Sequence, residues 1–236
     1  MVSAQMTTVL AMLDRNTGRP LADDRAAAAA AARALGVDGI TAGVGTGPSG
    51  TVLAWGSGAV SADVDHLQFT LGQGPGTDCA TTGLPVLAPD LMESGARWPA
   101  FTPAAATLGV RAVFAFPLSI GAMSVGTMLA YRAAEGSLSD RQYADALGLA
   151  IAVTVVLISR RSARDGGQDS WVPAGWAAPQ TYRAEVHQAT GMISVQLGVS
   201  LAEALVRLRA HAYSRDRLIA EVAADVVARR LRFDGL

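Results

Sequence analysis

Between Arg161 and Thr181 the chain reads SARDGGQDSWVPAGWAAPQ. Glycine, proline, serine and charge are mixed there with no apolar repeat of 2 or 3.6, so nothing in the stretch can lay one face on a core. It reads as a linker. This break constrains the fold more than any other feature, because the apolar pattern differs on its two sides. Before it, short alternating runs alternate with helical ones; after it, every apolar repeat is helical. A length of 236 residues suits two small domains. The expected boundaries are a first domain over 1–162, a linker over 163–178 and a second domain over 179–236.

In the first domain, LADDRAAAAAAARALG reads as a helix with a small-residue face that Gly36 closes. The twenty residues before it read as weakly structured. GITAGVG and TVLAWGS flank the turn TGPSG and read as a hairpin. Ser61 is placed as the cap of a short helix, ADVDHLQFT. LGQGPGTDCATTGLPVLAPDL then gives a glycine-rich turn, a brief helix and an extended segment. VRAVFAFPLSI and SVGTMLAYR read as adjacent buried strands, and SLSDRQ opens a long helix with Ser139 and Gln142 as a capping box. The expected class is α+β: one antiparallel sheet covered by helices. The long helix, RQYADALGLAIAVTVVLIS, is apolar on nearly every face, more than one sheet can cover, so the surplus predicts a homodimer.

The second domain shows three helical stripes. They are Val186, Ala189, Ile193 and Leu197; then Leu201, Ala204, Leu205, Leu208 and Ala212; then Ile219, Val222, Ala223, Val226 and Val227. Gly198 ends the first helix, Ser200 with Glu203 opens the second as a capping box, and Asp216 is placed to cap the third. Short connections make this a three-helix bundle.

Composition excludes several functions. With 19 basic against 20 acidic residues the chain is no polycation, so any nucleic-acid surface must be local. Residues 180–236 hold eight arginines against six acids, a modest attraction only. One cysteine, Cys79, forbids an intrachain disulfide and a cysteine-based zinc site, and the three histidines lack metal-ligand spacing. No metal or cofactor is expected. No catalytic triad, carboxylate pair or resolving cysteine stands out, so an enzyme is not expected. No basic segment precedes an apolar core at the N-terminus, and the apolar run Ala146–Ser159 is shorter than the roughly 20 residues that span a bilayer. A cytoplasmic protein without a membrane segment is the expectation.

The second domain resembles the ANTAR domain, an RNA-binding three-helix module of bacterial antitermination regulators. QATGMIS, GVSLAEALVRLRAHAYS and RLIAEVAADVV carry the resemblance. The first domain looks like a GAF domain, on LGQGPGTDCATTGLPVLAPDL, RWPAF and GVRAVFAFPLSIGAMSVGTMLAYR. The combination, with arginine as the sole basic residue besides histidine, implies an actinobacterial regulator whose GAF domain senses a small molecule or dimerises and whose tail binds paired hairpins in leader transcripts. The implied RNA-binding residues are His187, Gln188, Ala189, Thr190, Gly191, Arg207, Arg209 and Ala212. Arg209 falls on the family's Leu-Arg position, while Thr190 stands where the family commonly has lysine. Trp55, Phe69, Cys79 and Phe114 are placed as lining the GAF ligand pocket, with core packing as the competing reading. A competing reading also attaches to Arg207, an ordinary i,i+4 pair with Glu203. At the level of the whole protein the alternatives are a dimerisation or sensor module with weakened RNA binding, and a DNA-binding three-helix regulator.

Overall fold

The computed structural model describes residues 2–15, 24–45, 52–58, 60–164, 178–215 and 217–233. The first domain contains helices α1 (Ala4–Arg15) and α2 (Asp24–Leu35), strands β1 (Gly39–Val44) and β2 (Val52–Ser57), and helices α3 (Ser61–Leu71) and α4 (Pro75–Thr82). Strand β3 (Val86–Ala88), helix α5 (Phe101–Thr107), strands β4 (Ala112–Ile120) and β5 (Met123–Arg132) and helix α6 (Asp140–Arg164) follow. The sheet runs β2-β1-β5-β4-β3 with every neighbouring pair antiparallel.

Alternation along the strands sorts the core into two layers. Ile40, Ala42, Phe114, Phe116, Leu118, Met128 and Ala130 pack with α1, α2 and α6. Val113, Ala115, Leu129 and Tyr131 face the opposite way, against residues of α3, α4 and α5 such as Val64, Cys79 and Phe101. The alanine run does form a helix with a small-residue face. Ala27, Ala28, Ala31 and Ala32 are buried, and Gly36 (φ 62) closes α2 through Val37 N–H to Ala32 O at 2.9 Å and Gly36 N–H to Arg33 O at 3.1 Å.

Three local expectations need correction. The N-terminal segment is a helix: Met6, Val9 and Leu13 are buried against the core, Ser3 Oγ accepts from Met6 N–H at 3.1 Å, and Ser3 N–H donates to buried Asp145 at 2.7 Å. A helix of this length is marginal in water alone and forms here because it docks. Ser61 is inside α3 rather than capping it, and its hydroxyl donates to Ser57 O at 2.6 Å. The third tail helix has Leu218 at its N-cap with no side-chain cap bond, and Asp216 is outside the described residues.

The capping box on α6 is present, with Ser139 N–H to Gln142 Oε1 at 2.9 Å and Gln142 N–H to Ser139 Oγ at 3.3 Å. The stretch Asp140–Ser159 is long and apolar enough to span a bilayer. One side of it, through Ala146, Leu149, Val153 and Val156, is instead buried in the first-domain core. Its outer side leaves Ile151 and Val155 exposed by 65% and 50%.

The tail forms α7 (Ala178–Leu197), α8 (Leu201–Ser214) and α9 (Ile219–Val227). Gly198 (φ 64) ends α7, and Ser200 Oγ accepts from Glu203 N–H at 3.2 Å to open α8. The stripes read from the sequence form the bundle core, with Leu197 and Val227 at its half-buried edge and Leu201 outside it at 55% exposed. The linker expected over 163–178 falls mostly outside the described residues.

Candidate nucleic-acid interface and its joint to the first domain

Phe69 lies on the last turn of α3, yet its ring belongs to the core of the tail bundle, among Val186, Leu205 and Leu208. The preceding residue, Gln68, turns the other way. Its Oε1 accepts from Gly76 N–H at 2.6 Å inside the first domain, and its buried Nε2 has no hydrogen-bond partner. Adjacent side chains of one helix end therefore serve two domains.

Arg209 of α8 closes this joint. Its Nε (3.0 Å) and Nη2 both donate to the carbonyl oxygen of Phe69, and its Cζ sits 5.6 Å from the centre of the Phe69 ring. That carbonyl is one of the last four of α3, which have no acceptor role inside the helix and carry its negative dipole end. A guanidinium fork satisfies both needs at once. Burial pulls the Arg209 guanidinium down to about 10, which leaves it a cation at neutral pH. His187 of α7 meets the Phe69 ring edge-on, with centroids 6.1 Å apart. Gly72 caps α3 in the left-handed region (φ 65), and a Cβ there would stand 2.9 Å from Arg209 Nη1. Glycine is needed for both reasons. A groove of about 920 Å³ runs along the joint, past Gly72, Gln73, Ala100, Arg209, Tyr213 and Arg217. The glycine-rich turn LGQGPG thus abuts the second domain.

The residues expected to meet RNA are scattered by the structure. Ala189 and Ala212 are buried in the bundle core. Thr190 is buried too, and its hydroxyl donates to Val186 O at 2.7 Å; a short β-branched side chain there bonds back to its own helix. Arg209 faces Phe69, and His187 lies beside it. Arg207 is exposed and paired with Glu203 at 2.7 Å. Gln188 is exposed, and a Cβ on Gly191 would find open space. Both line a groove that Arg229 and Arg232 also enter from beyond α9, two arginines that no sequence motif singled out.

The expected ligand pocket does not assemble. Trp55 and Phe114 lie in the layer under α1, α2 and α6, Cys79 lies in the opposite layer, and Phe69 lies in the tail core. The period-2 strand pattern sends Phe114 to the face opposite Cys79, which sequence proximity to a glycine-rich loop could not reveal. Between α3 and the sheet, the crevice lined by Thr41, Ser61, Val64, Leu129 and Tyr131 admits no water-sized sphere. Thr127 Oγ1, buried, has no hydrogen-bond partner. Cys79 is fully buried, and burial pushes its thiol up to about 12, far from a reactive thiolate.

Comparison with known proteins fits this division. Residues 180–227 match the ANTAR domain family, which spans the three tail helices. The first part of the chain superposes on solved GAF domains. One is the GAF domain of a Coxiella burnetii phosphoenolpyruvate-protein phosphotransferase, with 15% identity, TM-score 0.51, and coverage of 68% of this chain and 98% of that one. Another is the GAF domain of an Acinetobacter phosphoenolpyruvate-protein phosphotransferase, with 11% identity, TM-score 0.51, and 69% and 98% coverage. Free methionine-R-sulfoxide reductase from Neisseria meningitidis superposes with 17% identity, TM-score 0.51, and 70% and 98% coverage. At these identities the likeness establishes the fold alone. No curated protein sequence matches the chain. The chain joins a GAF-fold domain to an ANTAR domain.

Proposed function

We propose that this protein is a cytoplasmic, signal-responsive transcription antitermination regulator. Its ANTAR tail binds paired hairpins in leader transcripts, and its GAF-fold domain senses a small molecule, dimerises, or does both. The observation that carries the reading is the ANTAR match over 180–227, coincident with a complete three-helix bundle. The joint supplies a route for the signal. Gln68, with a free buried amide nitrogen, and Phe69, seated in the tail, are neighbours on one helix turn, so a ligand that engages Gln68 shifts the carbonyl that Arg209 holds. The exposed apolar strip of α6, with Ile151 and Val155, supports a homodimer. We assign no catalytic role: the single cysteine is buried with a raised pKa, which suits packing better than redox chemistry.

A sensor or dimerisation module with weakened RNA binding is the second reading. Burial of Thr190 where the family commonly has lysine, and the engagement of Arg209 by Phe69, favour it. A DNA-binding role is disfavoured because α8 opens SLAEAL, too apolar to read base edges. The test is a gel shift with a paired-hairpin RNA, a single hairpin and duplex DNA. Retention of the paired hairpin alone supports antitermination. Failure to shift any RNA favours the second reading, and a shift of duplex DNA alone overturns both.

A further inference from the structure

The tail arginines divide by what they touch. Arg207 pairs with Glu203, Arg209 with the Phe69 carbonyl, and Arg217 and Arg230 with Asp225. Arg215, Arg229 and Arg232 have no ion-pair partner among the described residues. Two of these three, Arg229 and Arg232, line one concave surface, a groove of about 640 Å³ between α7 and the segment after α9. Among the described residues no carboxylate lines it. Its floor is apolar: Met192 is half-buried, and Val195 is 84% exposed. Gln188 stands at the rim, and Gly191 leaves open the space a side chain would fill.

The backbone that delivers the arginines is unusual. Arg229 sits at φ 60, the only positive-φ residue other than glycine among those described. Glycine is the low-cost residue for that position after a helix. Hydrogen bonds from Arg230 N–H (2.8 Å) and Leu231 N–H (3.1 Å) to Asp225 O tie the turn down. Phe233 N–H then donates to Gln196 Oε1 at 3.0 Å, which folds the following segment back onto α7. A cationic side chain is thus held in a strained conformation beside an apolar floor. Strain of this kind points to use, since packing alone would be met better by glycine. The arginines lie beyond residue 227, where the family match ends.

We infer that this groove is where the tail grips RNA. An unstacked loop nucleotide lies over Met192 and Val195 with Gly191 allowing close approach, its flanking phosphates meet Arg229 and Arg232, and the Gln188 amide bonds the base edge. The occupant is single-stranded loop RNA, because an apolar floor beside amide groups serves an exposed base, whereas duplex RNA presents phosphates and sugars with its bases stacked away. The inference rests on the RNA-binding reading and replaces the Arg209-centred surface implied by the family resemblance. The groove is open to solvent while the Phe69–Arg209 joint is closed, so RNA can bind the docked form.

The test is fluorescence anisotropy of the full chain with a labelled RNA of two hairpins bearing unpaired loops, against a fully paired duplex of the same length, at two salt concentrations. Wild type should prefer the looped RNA. R229G/R232A should weaken binding at least about tenfold and lower the salt slope by about 1.4–1.8, the loss of two phosphate contacts. Arg215→Ala, which removes a charge outside the groove, should change affinity less than about twofold by comparison. Arg229→Gly alone should hold or raise the melting temperature while weakening binding, opposite movements that a merely structural role would not produce. If wild type binds and folded R229G/R232A binds equally tightly with the same salt slope, the groove is not the site, although the RNA reading survives. If wild type prefers the duplex, the loop assignment is overturned. If wild type binds no RNA, the RNA reading fails and the groove assignment goes with it.

Discussion

Replacing Phe69 by alanine should separate the two domains without unfolding the first. The ring is 6% exposed and packed among tail side chains, so its removal costs about 3 kcal/mol, the lower end for a buried phenylalanine because undocking lets the void fill with water. Arg209→Ala should cost about 2 kcal/mol, the value of a charge-assisted bond to a helix-end carbonyl that would otherwise lack those donors. The Phe69 carbonyl survives in Phe69→Ala, but undocking takes it away from Arg209, so the two substitutions overlap through the carbonyl bonds as well as the ring–guanidinium contact at 5.6 Å. The expected coupling is therefore at least about 1–2 kcal/mol. The assay is a double-mutant cycle on the full chain by urea denaturation, read by fluorescence and by far-ultraviolet circular dichroism. Wild type should unfold with the tail and first domain linked, and Phe69→Ala should show the tail melting earlier. Burial lowers the folded pKa of Arg209 to about 10, so the guanidinium stays charged in docked and undocked forms at neutral pH. The coupling should therefore be flat between about pH 6 and 8. Additivity within about 0.5 kcal/mol would refute the claim that this ring and this guanidinium form the joint.

Other outcomes follow from other sites. Cys79 should resist a thiol reagent at pH 8 in the native protein and react fully in denaturant, because burial keeps it a thiol; fast native labelling, followed by absorbance, would contradict that placement. Ile151→Arg, on the 65%-exposed outer side of α6, should leave melting within about 0.5 kcal/mol of wild type while converting a dimer to a monomer in light scattering. Wild type that scatters as a monomer at micromolar concentration would end the dimer proposal. Burial, then Arg215 and Arg217, hold His211 below its ordinary pKa of 6.5. The unfolded chain takes up this proton first, so tail stability should decline as pH falls through about 6.5 and level off below the folded value, with a slope well under one full proton because the ring is partly solvated. His211→Gln should flatten that profile, and a wild-type profile flat from pH 7.5 to 5 would show that His211 is unperturbed.

Much of this architecture was legible in the amino-acid sequence because it is decided locally. Strand alternation, the Ser139–Gln142 box, the Ser200 cap and the glycines at 36 and 198 act over a few residues, and each appears where the pattern placed it. The three tail stripes were equally plain, since a 3.6-residue apolar repeat has one way to bury itself. Helix α1 was not, because its stability comes from docking on α2 and α6 far along the chain. The candidate site needed the tertiary structure throughout. Composition marks Arg209 as a cation on a helix edge, and only the fold brings the orphan carbonyl of Phe69, 140 positions away, under its guanidinium. Strand parity sends Phe114 to the sheet face opposite the one that α4 covers with Cys79, which dissolves a pocket built on sequence proximity. Thr190 reads as part of a polar stripe, yet the packing of α7 in the bundle buries it. Arg229 and Arg232 lie past the last recognisable helix, and a single left-handed residue decides that they turn back over α7 toward Gln188. Local periodicity determines which faces are apolar; long-range contacts decide which of the polar residues remain free to meet a partner.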